Sequence, residues 1–315
     1  MPAKILKPPF GWFGGKEKII HVLLPHVPTH DAYLEPFFGA GSLFFAKRPS
    51  RIEVINDIDE DLMNFYSVLR DDVKFNKFVK LAHLTLYSRA EYMHAREKFK
   101  RKAWKDDVER AYLFYIMVRM SFAGKFGHSW GYNISATSGG ICRQISGYLS
   151  SVDRLPEIHE RLRHAQIECD DWLSVYERYV PKWLQDGLKV FVYLDPPYLE
   201  DVRKSGKYRY ELSRRRHEEL IEVVKREKGA KIMLSGYPSP LYEELEEAGW
   251  CKKCWNVACH AVGRTRAYGL LGRGATFSKN QRRTECIWMN YENASFTLST
   301  LGRSVQTRLS SFHKY

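Results

Sequence analysis

The sequence predicts an α/β fold whose sheet is assembled from both ends of the chain around a mostly helical insertion. Three observations predict it. Near the N-terminus the chain reads as strand, glycine turn, helix and second strand. Residues 71–120 then hold no convincing strand, and apolar strand signals return at Lys189–Leu194.

Tyr33–Phe37 is a short apolar run broken by Phe38-Gly39-Ala40-Gly41, after which Ser42–Lys47 can start a helix. Arg51–Asn56 alternates as a strand and ends at Asp57, and Ile58–Leu69 reads as helix. That order opens a nucleotide-binding α/β sheet. Apolar spacing through 71–120 predicts successive helices, with Ser88 as N-cap of Arg89–Lys100 and a further helix over Asp106–Met120. Ser121–Gly147, rich in Gly, Ser and aromatics, reads as a loop, and Val152–His164 as helix. Lys189–Leu194 is apolar after its first residue, as expected of a strand covered on both faces. Ser213–Lys228 and Ser239–Ala248 read as helices around a strand at Lys231–Leu234, and Trp250–Ala261 and Thr284–Tyr291 as paired final strands. The expected division is therefore 1–70 with 166–292 as one α/β domain, 71–165 as a helical insertion, and 293–315 as a polar tail.

Composition narrows the function classes. A net charge of +13 favours a polyanionic partner such as nucleic acid. No apolar run approaches the roughly 18 residues of a membrane helix, and the N-terminus lacks the apolar core of a signal peptide. Six cysteines in a chain of 315 residues do not suggest a disulfide framework, so a reduced, cytoplasmic setting is expected.

The strongest chemical signal is Asp195-Pro196-Pro197-Tyr198 at the end of the apolar strand. A given four-residue string of this kind arises by chance in roughly one chain in a thousand. Its chemistry suits a flipped base that carries an amine. The Asp195 carboxylate can accept one amino hydrogen, and the rigid Pro-Pro turn aims the Pro196 carbonyl at the other. Tyr198 offers a face for stacking. A second signal is Glu35-Pro36-Phe37-Phe38-Gly39-Ala40-Gly41-Ser42, where glycines let a ligand approach the backbone. Asp57 follows Gly39 by 18 residues, at the second strand's tip, where an acid can hold ribose hydroxyls. The third glycine of the dinucleotide fingerprint is missing, which argues against NAD.

With these motifs the chain resembles the Dam-type, or D12-class, N6-adenine DNA methyltransferases. Phe10-Gly11-Trp12-Phe13-Gly14-Gly15-Lys16 resembles the family's N-terminal cofactor motif, EPFFGAGS its glycine loop, Asn56-Asp57 its ribose acid and DPPY its catalytic motif, in the family's order. Ser235-Gly236-Tyr237 falls where a further pocket motif is expected. The resemblance implies a Rossmann-like class I S-adenosylmethionine-dependent methyltransferase sheet with an inserted, mostly helical target-recognition domain. It implies that Trp12, Lys16, Asp57 and Asp195 contact S-adenosylmethionine, that Glu35, Phe37 and Gly39 line its amino-acid end, and that Asp171 lies near its adenine. The implied partners are double-stranded DNA and, for members of restriction–modification systems, a cognate endonuclease, with the protein itself a monomer.

Two basic clusters, Arg203–Arg216 and Val262–Arg283, fit non-specific phosphate contact, with Lys204, Arg282 and Arg283 as candidates. Within the insertion, Arg119–Asn133 mixes donors with aromatic wedges; Arg119, Lys125, His128 and Asn133 are the candidate base readers. This stretch departs from the pattern of the GATC-methylating bacterial members. Cys251 and Cys254, followed by Cys259-His260, superficially resemble a zinc set, but the segment alternates like a strand and a second knuckle is missing, so no metal is expected. His217 reads as a surface or loop-packing residue. The alternatives are an N4-cytosine DNA methyltransferase, an RNA adenine methyltransferase, or a catalytically silent DNA-binding protein; the intact DPPY and glycine loop argue against the last.

Overall fold

A computed structural model of the chain describes residues 5–203, 207–258 and 282–292. A short helix, α1 (Ile20–Leu23), leads to β1 (Ala32–Glu35), α2 (Ser42–Ala46), β2 (Ile52–Asn56) and α3 (Glu60–Arg70). The helices α4 (Asp72–Leu84), α5 (Arg89–Lys100) and α6 (Asp107–Arg119) follow without an intervening strand. A small hairpin of β3 (Thr137–Ser138) and β4 (Ile141–Cys142) precedes α7 (Arg143–Val152) and α8 (Leu155–Leu162). The chain then alternates through β5 (Gln166–Glu168), α9 (Trp172–Gln185), β6 (Val190–Leu194), α10 (Arg214–Arg226), β7 (Lys231–Gly236) and α11 (Pro240–Glu247), and closes with β8 (Cys251–Ala258) and β9 (Arg282–Met289).

The seven-stranded sheet runs β5-β2-β1-β6-β7-β9-β8. Every pairing from β5 to β7 is parallel, whereas β9 runs antiparallel to both its neighbours. Strands covered on both faces need uninterrupted apolar sequence, and β6, Val-Phe-Val-Tyr-Leu, is buried at every residue. The strand order reverses between β1 and β6. In open α/β sheets a ligand crevice forms there, at the carboxyl ends of the strands.

Caps account for much of the helical punctuation. The Asp59 side chain accepts from the Asp61 and Leu62 amides at the start of α3, and Asp71 ends α3 while capping α4. Ser88 and Asp106 cap α5 and α6. Helix α9, which carries Pro181 in its interior, is not among the helices expected from sequence. The short β5 and the β3–β4 hairpin are also unexpected, since their strands are too brief to show a period, and α7 begins at Arg143, inside the 121–147 stretch expected to be a loop.

Helices of 71–165 share one apolar core with the sheet. Helix α6 is buried at every residue from Leu113 to Val118 and packs Leu113, Phe114, Tyr115 and Ile116 in the same cluster as Phe10, Phe38, Phe44 and Phe65. Farther along, Arg161 of α8 reaches the sheet. Its guanidinium forks onto the Glu53 carboxylate of β2 at 2.5 and 2.9 Å, lies 3.6 Å from the Phe44 ring and donates to the Phe44 carbonyl. Lys47 completes the cluster at 2.5 Å from Glu53. All three side chains are buried. Burial alone would raise the Glu53 carboxyl, but hydrogen bonds and charge from Arg161 and Lys47 outweigh it and hold it below its ordinary range. Burial pushes the Lys47 ammonium down to about 8.

Removing the one anion of this cluster leaves two buried cations without a countercharge. Glu53→Gln should cost about 3–5 kcal/mol of stability, seen as a lower urea midpoint at unchanged slope. Lys74→Met, which breaks the exposed pair with Asp107, should cost less than about 1 kcal/mol. Equal shifts of the two midpoints would refute the assignment.

Candidate active site

Residues from both halves of the sequence meet at the carboxyl edge of the sheet. Glu35 ends β1, Asp57 follows β2, Asp171 follows β5 and Asp195 follows β6. Between them lies a cavity of about 540 Å³, within the range for a nucleoside-sized ligand. The glycine loop forms its floor. Gly39 and Gly41 have φ of +49° and +67°, a region side chains rarely adopt. A Cβ on Gly39 would press on the Trp12 indole, and one on Gly41 would overlap the Phe38 ring. The turn is locked from below: the Gly39 amide donates to Asp57 Oδ2 at 2.8 Å, and Asp57 Oδ1 accepts from the Asp59 amide at 3.0 Å. Burial raises the Asp57 carboxyl, and these two amides partly offset the rise.

Trp12, Lys16, Glu35, Phe37, Gly39, Asp57, Asp171 and Asp195 all line this one cavity. Phe37 and Trp172 stand 5.9 Å apart as aromatic walls. Asp171 caps α9 through the Leu173 amide and is ion-paired with Arg216. Glu35 is buried and accepts from the Tyr33 hydroxyl at 2.7 Å, yet burial pushes its carboxyl up to about 8. A cation brought beside Glu35 would favour its charged form. Aromatic walls, a floor that only glycine fits, and carboxylates at two ends suit a nucleoside with a cationic amino-acid tail. The residues present fit S-adenosylmethionine.

The DPPY turn lies at the inner end. Lys16 donates to both Asp195 oxygens, at 2.6 and 2.8 Å, and to the Gly14 carbonyl at 2.7 Å. Its ammonium stands 4.7 Å from the centre of the Tyr198 ring. Burial pushes the Asp195 carboxyl up to about 6, and Lys16 restrains the rise. Pro197 lines the cavity, whereas Tyr198 is only 3% exposed, so the stacking face expected of it lies beneath Lys16 and against Tyr237.

Several residues of the site carry no sequence motif. The loop after DPPY brings in Tyr208, Arg209 and Tyr210. Arg209 reads as a phosphate contact in the sequence, but it is ion-paired with Asp59 at 2.8 Å and Asp61 at 2.7 Å and lies 4.3 Å from the Phe126 ring. Burial pushes the Asp59 carboxyl up to about 6 against the Arg209 charge. Others of the same basic cluster are also paired: Arg203 with Glu211, Arg214 with Asp201 and Glu218, and Arg216 with Glu219 as well as Asp171. His217 is fully buried rather than on the surface; its Nδ1 lies 3.0 Å from the Tyr242 hydroxyl, and burial lowers its pKa to about 4.

The candidate DNA-facing residues are dispersed. Lys125 and His128 are exposed. Arg119 donates to the Gly147 carbonyl. The Asn133 amide both donates to and accepts from the Ala136 backbone, which commits it to the turn before β3. Phe126 packs 5.2 Å from Phe114, whereas Trp130 and Tyr132 stack at 5.7 Å under Arg89. Arg283 donates to the Tyr237 hydroxyl at 3.1 Å. Lys204 and the Arg282 side chain lie outside the described residues, as do Cys259 and His260. Against the expectation of no disulfide, Cys254 is bonded to Cys286, its direct partner in the β8–β9 register. The other described cysteines, Cys142, Cys169 and Cys251, are free.

Residues 12–257 match the family of D12 class N6 adenine-specific DNA methyltransferases. Among individual proteins, the chain is 30% identical over 300 residues to the type II methyltransferase M1.LlaDCHI of Lactococcus lactis subsp. cremoris, covering 91% of this chain and 96% of that one. It is 25% identical to the DNA N-6-adenine-methyltransferase of Escherichia phage P1, over 84% of this chain and 35% of that protein. Against the DNA adenine methylase of Escherichia coli K12 the identity is 26%, over 59% of this chain and 63% of that one.

The Lys16–Asp195 contact predicts a titration. Losing the ammonium favours the neutral carboxyl, so Lys16→Met should move the Asp195 pKa upward from about 6. Carbon-13 NMR of labelled aspartate, assigned by the signal missing in Asp195→Asn, would follow it; Lys16→Arg should leave the value nearly in place. An unmoved or lowered pKa in Lys16→Met would contradict the electrostatic role.

Proposed function

The chain belongs to the D12 class of N6 adenine-specific DNA methyltransferases, and from that premise we propose that it moves a methyl group from S-adenosylmethionine to the N6 amine of an adenine swung out of duplex DNA. The observation that carries this reading is the DPPY carboxylate. It lies at the inner end of a cavity whose walls suit that cofactor, beside a lysine that favours its charged form.

S-adenosylmethionine supplies, when bound, a methyl group already activated on a sulfonium. Trp12 and Trp172 would flank its nucleoside, Asp57 its ribose, and Glu35 with Phe37 and Gly39 its amino-acid end. The chain's own work is at the amine. Asp195 accepts one N6 hydrogen and the Pro196 carbonyl the other, which turns the nitrogen lone pair out of conjugation with the ring. Because Lys16 engages both Asp195 oxygens, the incoming amine takes over one of them while Lys16 keeps the other. Alignment supplies most of the acceleration, and no strong base is needed, since the nitrogen gives up its proton only after becoming cationic.

Sequence choice we assign to the rim of the insertion, residues 121–147, where Lys125, His128 and the exposed Tyr132, Ile134 and Ile141 are free to face a duplex. Arg119 and Asn133 shape that rim from within.

Asp195→Ala should remain folded and lose methyl transfer by a factor on the order of 10² or more. Labelled product digested to nucleosides should carry the label on N6-methyladenine from DNA. Turnover within about threefold of wild type, or label on cytosine or RNA, would refute the reading.

Lys125→Ala and His128→Ala, profiled on a randomised DNA pool, should each relax one position of the methylated motif by about 1–3 kcal/mol with cofactor affinity unchanged. If both variants keep the wild-type motif, the reading surface lies elsewhere.

A further inference from the structure

Strand β9 outruns its neighbour. Its pairing with β7 ends at Cys286 opposite Gly236, so the residues before Cys286 project past β7 toward the turn that follows β6. Glu285 is the acid in that projecting stretch, and its Oε2 accepts a hydrogen bond from the Tyr198 hydroxyl at 2.8 Å. On the other side Glu285 is paired with Trp255 of β8, next to the Cys254–Cys286 bond that ties the two strands together. The Tyr198 ring is otherwise held by Lys16 over one face and by Tyr237, edge-on at 4.5 Å. Tyr237 is itself anchored through its hydroxyl by Arg283, two residues from Glu285.

We propose that Glu285 is a positioning residue for methyl transfer: its carboxylate fixes the Tyr198 hydroxyl and thereby sets the ring against which the target adenine is held. The inference rests on the reading of Tyr198 as the base-holding face. A tyrosine ring pivots about two side-chain torsions, and its hydroxyl is the far end of that lever. A base laid on the ring takes the place of the Lys16 ammonium over that face, while Lys16 keeps one Asp195 oxygen. Packing and Tyr237 then confine the ring, and the charge-assisted O–H···O bond at its tip sets its tilt, held by a strand that is covalently tied to the next. A base stacked on a ring of altered tilt would leave N6 off the line of attack, so the loss should fall on turnover rather than on cofactor binding.

The test uses the full-length protein, mixed-sequence duplex DNA and labelled S-adenosylmethionine. Glu285→Leu should lower kcat about tenfold while cofactor affinity by calorimetry and the melting temperature stay near wild type. Glu285→Gln, whose amide oxygen still accepts, should recover turnover to within about threefold. Tyr198→Phe should lose about as much as Glu285→Leu, and the double variant no more than either alone. Wild-type turnover in Glu285→Leu, additive losses in the double variant, or a fall in melting temperature that Gln does not reverse would each overturn the proposal. Tyr198→Ala separates the two readings. Wild-type turnover there would refute the stacking role itself, whereas a large loss beside an active Glu285→Leu would refute only the positioning role.

Discussion

Carboxylates gathered at one edge of a sheet, all but one of them shielded from water, dominate the arrangement of this molecule. Glu35, Asp57, Asp59, Asp171 and Asp195 converge on a single cavity, and burial raises the carboxyls of Glu35, Asp57, Asp59 and Asp195. Left alone, such a set would take up protons and stop accepting hydrogen bonds from ligands. Much of the surrounding structure supplies the countercharge: Lys16 from the N-terminal segment, Arg209 from the loop after DPPY, Arg216 from α10, and backbone amides of the glycine turn. These partners lie far apart in sequence, so the fold and the charge state of the site are maintained together.

The same constraint explains why the first basic cluster is not a bare phosphate-binding strip. Between Arg203 and Arg216 the sequence holds one acid, Glu211, but Glu200, Asp201, Glu218 and Glu219 flank the cluster and pair with its ends. In space, Arg209 meets acids from the turn after β2 and the start of α3, and Arg216 meets the cap of α9. Their positive charge offsets the negative charge of carboxylates that line the cavity or flank it.

Much of the α/β framework was legible from sequence. The buried strand ending in Asp195, the glycine turn and the acid at Asp57 each carry a local pattern with a mechanical reason, and the cavity brings together Gly39, Gly41, Asp57, Asp195 and Pro197, while Pro196 and Tyr198 lie behind its wall. What escaped was set by distance or by brevity. The two-residue strands of the β3–β4 hairpin show no period, and α9 carries Pro181 in its interior. Asn133 resembles a base reader until its amide is seen closing a turn. Cys254 and Cys286 are 32 residues apart and become neighbours only once the β8–β9 register is known. Glu285 shows in sequence only as an acid within an otherwise basic and apolar strand; its partner, Tyr198, is 87 residues away.

The shared core has a consequence for rebuilding the molecule. Phe114 and Tyr115 of α6 pack with Phe65 of α3, and Arg161 of α8 is ion-paired with Glu53 of β2. A chimera that exchanged residues 71–165 wholesale with a relative's would have to reproduce those buried matches, or expose unmatched aromatic surface and strand a charge in the interior. Exchanging residues 121–147 alone would leave those particular matches in place. That stretch is therefore the part of 71–165 that can be replaced without rebuilding the core beneath the sheet.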